Sequence, residues 1–280
     1  MQDNDELAAI GGSAPQVNVL GVRISAISLE ATTQAVLSCV SAGRRGYICV
    51  RDVHGVIACQ RDATLKEVHN RSFLTVADGM PMVWAIRRDG HDMPGRVYGP
   101  DLMLNVLAAG LDGRRRHFLY GSTPEVLALL REKLSDRFPG VEIVGAYSPP
   151  FRALTEEEED GIATVINDAR PDIVWVGLGT PKQELWMGAM RDRLDAPMLI
   201  GVGAAFDFHA GLKPQAPGWM QQRGLEWLFR LSTEPRRLWR RYAHTVPNYI
   251  VLSSLQRAGM RTYTLPSFPA HGDVAREAAE

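Results

Sequence analysis

One structural unit recurs through most of the chain without any repeat of its sequence: a short apolar stretch, a turn built on Gly or Asp, and a helix. The apolar stretches are "YICV" (47–50), "FLTVA" (73–77), "RHFLYG" (116–121), "VEIVGAY" (141–147), "DIVWVG" (172–177) and "PMLIGVG" (197–203). Strands that alternate with helices pair side by side in the same direction, so the expected fold is α/β, a mostly parallel sheet with helices on both faces. Ligands of such sheets bind outside the carboxyl ends of the strands.

Local signals fill in the rest. "VNVLGVRISAIS" (17–28) reads as a strand pair and "LEATTQAVLSCVSAG" as a helix ended by Gly43. "PEVLALLREKLSDRF" (124–138) has Thr123 as its expected N-cap and Pro124 in its first position. "TEEEEDGIATVINDA" starts on Thr155, with its acids in the turn where the helix dipole favours them. Beyond about residue 215 no strand signal remains, and between Arg223 and Arg257 seven arginines (223, 230, 236, 237, 240, 241 and 257) face only two acids, Glu226 and Glu234. The expected organisation is a disordered tail (1–16), an α/β core (17–215), a helical arginine-rich appendage (216–262) and a second disordered tail (263–280).

Composition excludes several classes. A net charge of -1 over 280 residues argues against a nucleic-acid binder. No apolar run reaches the roughly 18 residues of a membrane span. The first twenty residues lack the basic and apolar regions of a signal peptide, so the chain is expected in the cytoplasm. Cys39, Cys49 and Cys59 form no CxxC pair and read as reduced core residues.

The strand ends carry the candidate chemistry. In "VGLGTPKQELWM", Gly177 and Gly179 let backbone N–H groups approach a ligand and Gln183 adds an amide, or the turn merely starts a helix. It is neither a GxGxxG fingerprint nor a P-loop. In "FLTVADGMPMVW", Asp78 is either a general base facing the cleft or a turn residue before Gly79. In "RVYGPDLM", Arg96 and Asp101 form an ion pair at a helix cap or part of a sugar- and phosphate-binding wall that includes Gly99. In "GVGAAFDFHAG", Gly203 keeps side chains away, and Asp207 and His209 would share one face of a strand. No third ligand accompanies them, so no metal site is assigned. Around the arginines of the appendage, Trp227, Phe229, Trp239 and Tyr242 suit an anionic membrane surface or nucleotide phosphates, or the face is simply solvated.

Taken in order, "ADGMPMVW", "RVYGPDLM", "FLYGSTPEV", "PDIVWVGLGTPKQELWM", "GVGAAFDFHAG" and "APGWMQQRGLEWLFRLSTEPRRLWRRY" resemble the WecG/TagA/CpsF glycosyltransferases of bacterial surface-polysaccharide synthesis. The resemblance covers roughly 17–242. It implies a Rossmann-like, inverting enzyme that moves a sugar from a UDP-sugar to a polyprenyl-diphosphate-linked acceptor, without a bound metal or other cofactor. It implies Asp78 as catalytic base and Gln183 in the active site. Arg230, Arg237 and Arg240 would close over the donor diphosphate and bring the enzyme to the inner face of the cell membrane. The chain departs from the family pattern twice: "VRDVHG" stands where many members have asparagine, leaving Asp52 or His54 in that role, and Gln215 precedes Ala216 and Pro217 where many have arginine.

In this reading guanidinium groups replace a metal, since the sequence has no DxD cluster and arginine holds phosphate oxygens in a forked geometry. The other function class compatible with the sheet is a nucleotide-binding regulatory or redox protein. The donor sugar, the acceptor and any homo-oligomer are left open.

Overall fold

In a computed structural model that describes residues 14–266, the apolar stretches pair into one eight-stranded sheet. The strands are β1 (Gln16–Val19), β2 (Val22–Ser25), β3 (Gly46–Arg51), β4 (Leu74–Ala77), β5 (Arg116–Gly121), β6 (Glu142–Tyr147), β7 (Ile173–Gly177) and β8 (Met198–Gly201). Their spatial order is β1-β2-β4-β3-β8-β7-β5-β6. Only β1 and β2 are antiparallel. They meet at a two-residue turn, Leu20–Gly21, where φ is 55° and 78°, the positive pair that a tight hairpin demands.

Alternation along the central strands sorts their side chains into two cores. Ile48, Trp175 and Ile200 point one way, toward α1 (Leu29–Ser41), α4 (Met80–Arg88), α5 (Gly99–Gly110) and α6 (Pro124–Arg137). Cys49, Val174, Val176 and Leu199 point the other way, toward α7 (Glu156–Asp168) and α8 (Lys182–Met190). β3, β4 and β8 are buried along their whole length, which is why they read as continuous apolar runs. Thr123 and Thr155 cap α6 and α7 as expected, and Glu158 completes a capping box with Thr155.

The remaining helices are short or C-terminal: α2 (Val53–Ala58), α3 (Ala63–Asn70), α9 (Ala205–His209), α10 (Gly218–Gln222), α11 (Glu226–Thr233) and α12 (Pro235–Arg257). Three expectations need correction. Asp101 is not the cap of α5, whose N-cap is Tyr98; Gly99 and Pro100 already occupy the first helical positions. Asp207 and His209 lie on the short helix α9 rather than a strand, because the chain turns out of the sheet at Gly201. The predicted tails are shorter than drawn, since Gln16 pairs with Ser25 and the Tyr263 carbonyl accepts from Asn18 Nδ2 at 2.6 Å. Residues 1–13 and 267–280 of the two expected tails lie outside the described residues. All three cysteines are free and buried.

At the carboxyl edge of the sheet, Arg51 continues the Tyr47–Cys49 face and so projects toward α8. There its Nη2 donates to Glu184 Oε1, to the Val50 carbonyl at 2.8 Å and to Thr180 Oγ1 at 3.3 Å. Both partners are all but fully buried, at 1% and 0% exposure. Burial opposes the Arg51 charge, and the adjacent Glu184 carboxylate outweighs it, raising its already high pKa. The same Glu184 oxygen accepts from Gln183 Nε2 at 2.8 Å and Thr180 Oγ1 at 3.2 Å, so one ion pair fixes both the end of β3 and the turn after β7. Arg51 lies against α2 so closely that a Cβ on Gly55 would sit 2.0 Å from Arg51 Nη1.

Removing one partner strands a buried charge. Glu184→Ala is expected to cost about 3–5 kcal/mol in urea unfolding, while Arg51→Met combined with Glu184→Leu recovers most of that loss. A single variant as stable as wild type would refute the assignment.

Candidate active site

The carboxyl ends of β3, β4, β7 and β8 deliver four turns to one edge, and each carries polar groups. Asp52 follows β3 and caps α2, its Oδ1 accepting from the Gly55 N–H at 2.9 Å. Asp78 follows β4; its backbone N–H donates to the Arg51 carbonyl at 2.9 Å, and its Oδ1 accepts from the Gly99 N–H at 3.2 Å. Leu178–Thr180 follow β7 and Gly203 follows β8, with Gly179 and Gly203 at φ of 74° and 53°. A side chain at either glycine would be strained, so both turns present bare backbone.

Two cavities open above these turns. The polar one, about 340 Å³, is walled by Gly99, Gly177, Gly179, Gly203 and Asp207 and faces Lys213, Arg237 and Arg241. The other, about 480 Å³, lies between α4 and the appendage and is largely apolar, with Met80, Trp84, Trp227 and Tyr249 among its walls. Asp52, Asp78, Glu226 and Arg230 belong to both. Asp78 therefore stands at the junction.

The appendage is held over the strand ends by Arg96. Its Nη1 donates to Glu226 Oε2 at 2.5 Å and to the Asp78 carbonyl at 3.3 Å; its Nη2 donates to Gln221 Oε1 at 2.7 Å. The guanidinium lies 3.9 Å over the Tyr98 ring, whose hydroxyl donates to Glu226 Oε1 at 3.4 Å. A second link joins α12 to the core: Arg241 Nη2 lies 3.6 Å from Asp52 Oδ2, and His54 Nδ1 lies 3.4 Å from Thr245 Oγ1.

These neighbours set the titration of the site. Burial, with smaller contributions from the Glu226 and Asp52 carboxylates, raises Asp78 to about 7 even though the Arg96 guanidinium pulls the other way. Burial also acts against the Asp52 charge, but Arg241 and Arg51 outweigh it and lower Asp52 to about 2. Burial and then Arg241 depress His54 to about 4, so His54 is neutral at physiological pH. Two carboxylates at one edge are thereby separated, one held charged and one ready to exchange a proton near neutrality.

The other residues singled out in the sequence fall into distinct places. Gln183 borders the polar cavity, but its amide serves the turn: Oε1 accepts from the Gly179 N–H at 3.2 Å while Nε2 donates to Glu184. Asp207 is paired with Lys213 at 2.7 Å, and Arg237 with Glu234 at 2.5 Å. Asp101 is exposed, and Arg96 pairs with Glu226 instead. Arg240 packs 5.3 Å from the Trp239 ring and lines neither cavity. Sequence reasoning missed Glu226, Gln221, Tyr98, Lys213 and Arg241. Glu226 stood in a quoted motif, yet nothing local joined it to Arg96, 130 positions earlier. Among the described residues, no group of three or more His, Cys, Asp or Glu side chains is arranged to hold a metal ion, and no helix is long and apolar enough to cross a membrane.

A crevice at the carboxyl ends of parallel strands, with bare glycine turns and cations among its walls, is where α/β proteins commonly hold an anionic ligand. The chain belongs to the glycosyl transferase WecG/TagA/CpsF family, whose profile matches residues 17–263. It is 34% identical over 173 residues to the N-acetylglucosaminyldiphosphoundecaprenol N-acetyl-beta-D-mannosaminyltransferase of Bacillus spizizenii, covering 62% of this chain and 65% of that protein. A protein of the same name from Bacillus subtilis is 29% identical over 206 residues, covering 74% of this chain and 78% of the relative.

The raised Asp78 has a consequence for stability. An unfolded aspartate titrates near 4. Between that pH and about 7 the unfolded chain gives up this proton while the folded chain keeps it, so the contribution of Asp78 to stability is lost as pH rises through that window. Asp78→Asn is expected to raise the melting temperature above wild type at pH 8 by clearly more than at pH 4.5. Equal differences at the two pH values would contradict a raised Asp78.

Proposed function

We propose that this chain is an inverting glycosyltransferase that moves a sugar from a UDP-sugar to an acceptor linked to polyprenyl diphosphate. The observation that carries the reading is the position of Asp78, at the junction of a polar cavity lined by both cations and acids and an apolar one. Family membership supports the reaction class. The names of the two relatives describe N-acetylmannosaminyl transfer to an N-acetylglucosaminyl-diphosphoundecaprenol, which supports a lipid-diphosphate acceptor for this chain as well.

The residues divide the work as follows. The acceptor hydroxyl approaches from the apolar side and gives its proton to the Asp78 carboxylate as its oxygen forms a bond to the anomeric carbon of the donor. The bond from that carbon to the UDP oxygen breaks on the opposite face, which inverts the configuration. Negative charge then grows on the departing diphosphate, where Arg230, Arg237, Arg241 and Lys213 face the polar cavity. Gly177, Gly179 and Gly203 let the nucleotide approach the backbone. Asp52 keeps Arg241 in place and His54 stays neutral beside it. Exposed Trp219, Trp227 and Trp239 among the arginines of the appendage support docking on the cytoplasmic face of the membrane, where such a lipid resides.

Incubating the full chain with a panel of UDP-sugars and a prenyl-diphosphate-linked N-acetylglucosamine, and recording released UDP, tests the reading. One donor is expected to give turnover, and Asp78→Ala to reduce it by roughly 100-fold or more with an unchanged circular dichroism spectrum. In wild type, kcat/KM is expected to fall as pH drops below about 7, because the base is then protonated. Failure of every donor, or near-normal rates for the alanine variant, would refute the proposal.

A further inference from the structure

The apolar cavity has a direction. α4 begins at Met80, two residues after Asp78, and α12 runs beside it, with the Tyr249 hydroxyl donating to the Pro81 carbonyl at 3.4 Å. Between the two helices lies the 480 Å³ groove. The appendage packs tightly at Gly224, where a Cβ would come within 3.2 Å of both Met80 Cβ and Trp84 Cη2. One end of the groove is Asp78. Arg88 and Arg257 also line it, eight residues along their helices from Met80 and Tyr249, a helical rise of about 12 Å.

These two arginines have no carboxylate partner among the described residues. Arg88 Nε donates to the Trp84 carbonyl at 3.1 Å and Arg257 Nη2 to Ser254 Oγ at 3.0 Å, both within their own helices. Both act on Tyr249: burial raises its phenol, and the two guanidiniums partly offset that rise, so they flank the same stretch of groove. The same groove has apolar walls beside them, with Trp84 44% and Ile250 57% exposed. A free nucleotide or inorganic phosphate would use the guanidiniums and leave these side chains in water. A diphosphate carrying a hydrocarbon chain uses both.

We infer that the α4–α12 groove is the acceptor site, with the acceptor sugar at Asp78, its diphosphate at Arg88 and Arg257, and its first isoprene units over Trp84 and Ile250. This assignment rests on the transferase reading above. It leaves Arg237, Arg241 and Lys213 in the polar cavity to the donor diphosphate.

Calorimetric titration of the full chain with farnesyl diphosphate, inorganic pyrophosphate and farnesol, each below its aggregation limit, tests the groove without requiring turnover. Farnesyl diphosphate is expected to bind at least tenfold more tightly than either fragment. Arg88→Ala combined with Arg257→Ala is expected to weaken it tenfold or more and to leave UDP binding within twofold; Arg88→Gln alone serves as the milder variant if the double one is unstable. Unchanged binding in these variants, no binding by wild type, or pyrophosphate binding as tightly as the lipid would overturn the assignment. Binding as expected without any UDP-sugar turnover would keep the groove and remove the transferase reading. Turnover with a wild-type KM for the prenyl-diphosphate acceptor in the double variant would do the reverse.

Discussion

The buried pair between Arg51 and Glu184 is the contact on which the geometry of the carboxyl edge depends. Asp52 is the next residue after Arg51, and the Gln183 amide that closes the Gly179 turn is braced by the same glutamate oxygen. Displacing either charge therefore moves an acidic side chain and a glycine turn on opposite sides of β8. Such a pair is costly to desolvate and adds little to net stability compared with apolar packing, but it fixes one arrangement because every alternative leaves a charge without a partner. Arg51 Nε and Nη1 and Glu184 Oε2 already lack hydrogen-bond partners among the described residues, so the pair has little freedom to reorganise.

The scaffold was largely legible in the chain because its determinants are local. Apolar runs of four to seven residues became strands within a residue or two of their expected limits, and Thr123 and Thr155 capped the helices they precede. Where local signals competed, the reading slipped. Asp101 looks like a cap, but Pro100 is better suited to the first turn, so the helix starts earlier. Asp207 and His209 follow an apolar run, and nothing in their spacing shows that Ala205–His209 coils into a single short helix.

The site was legible only in part, for a different reason. Asp78 and the glycine turns lie at strand ends, where the fold class points. Glu226, Gln221 and Arg241 reach the same place from the far end of the chain, and pairings across more than a hundred residues leave no periodicity to read. Counting charges also misdirected the reading: the appendage looks like an excess of arginine, but two of its arginines are engaged with Asp52 and Glu234, and its Glu226 is bound to an arginine of the core. What faces the polar cavity is a balanced set of cations and acids rather than a uniformly basic surface.

The link between Arg96 and Glu226 also orders events in time. A ribosome adds about 5–20 residues per second, and the two partners are separated by 130 positions, so Arg96 waits roughly 6–26 s after its own synthesis before its glutamate exists. The nascent sheet can fold during that interval while the edge that carries Asp78 still lacks the appendage that covers it.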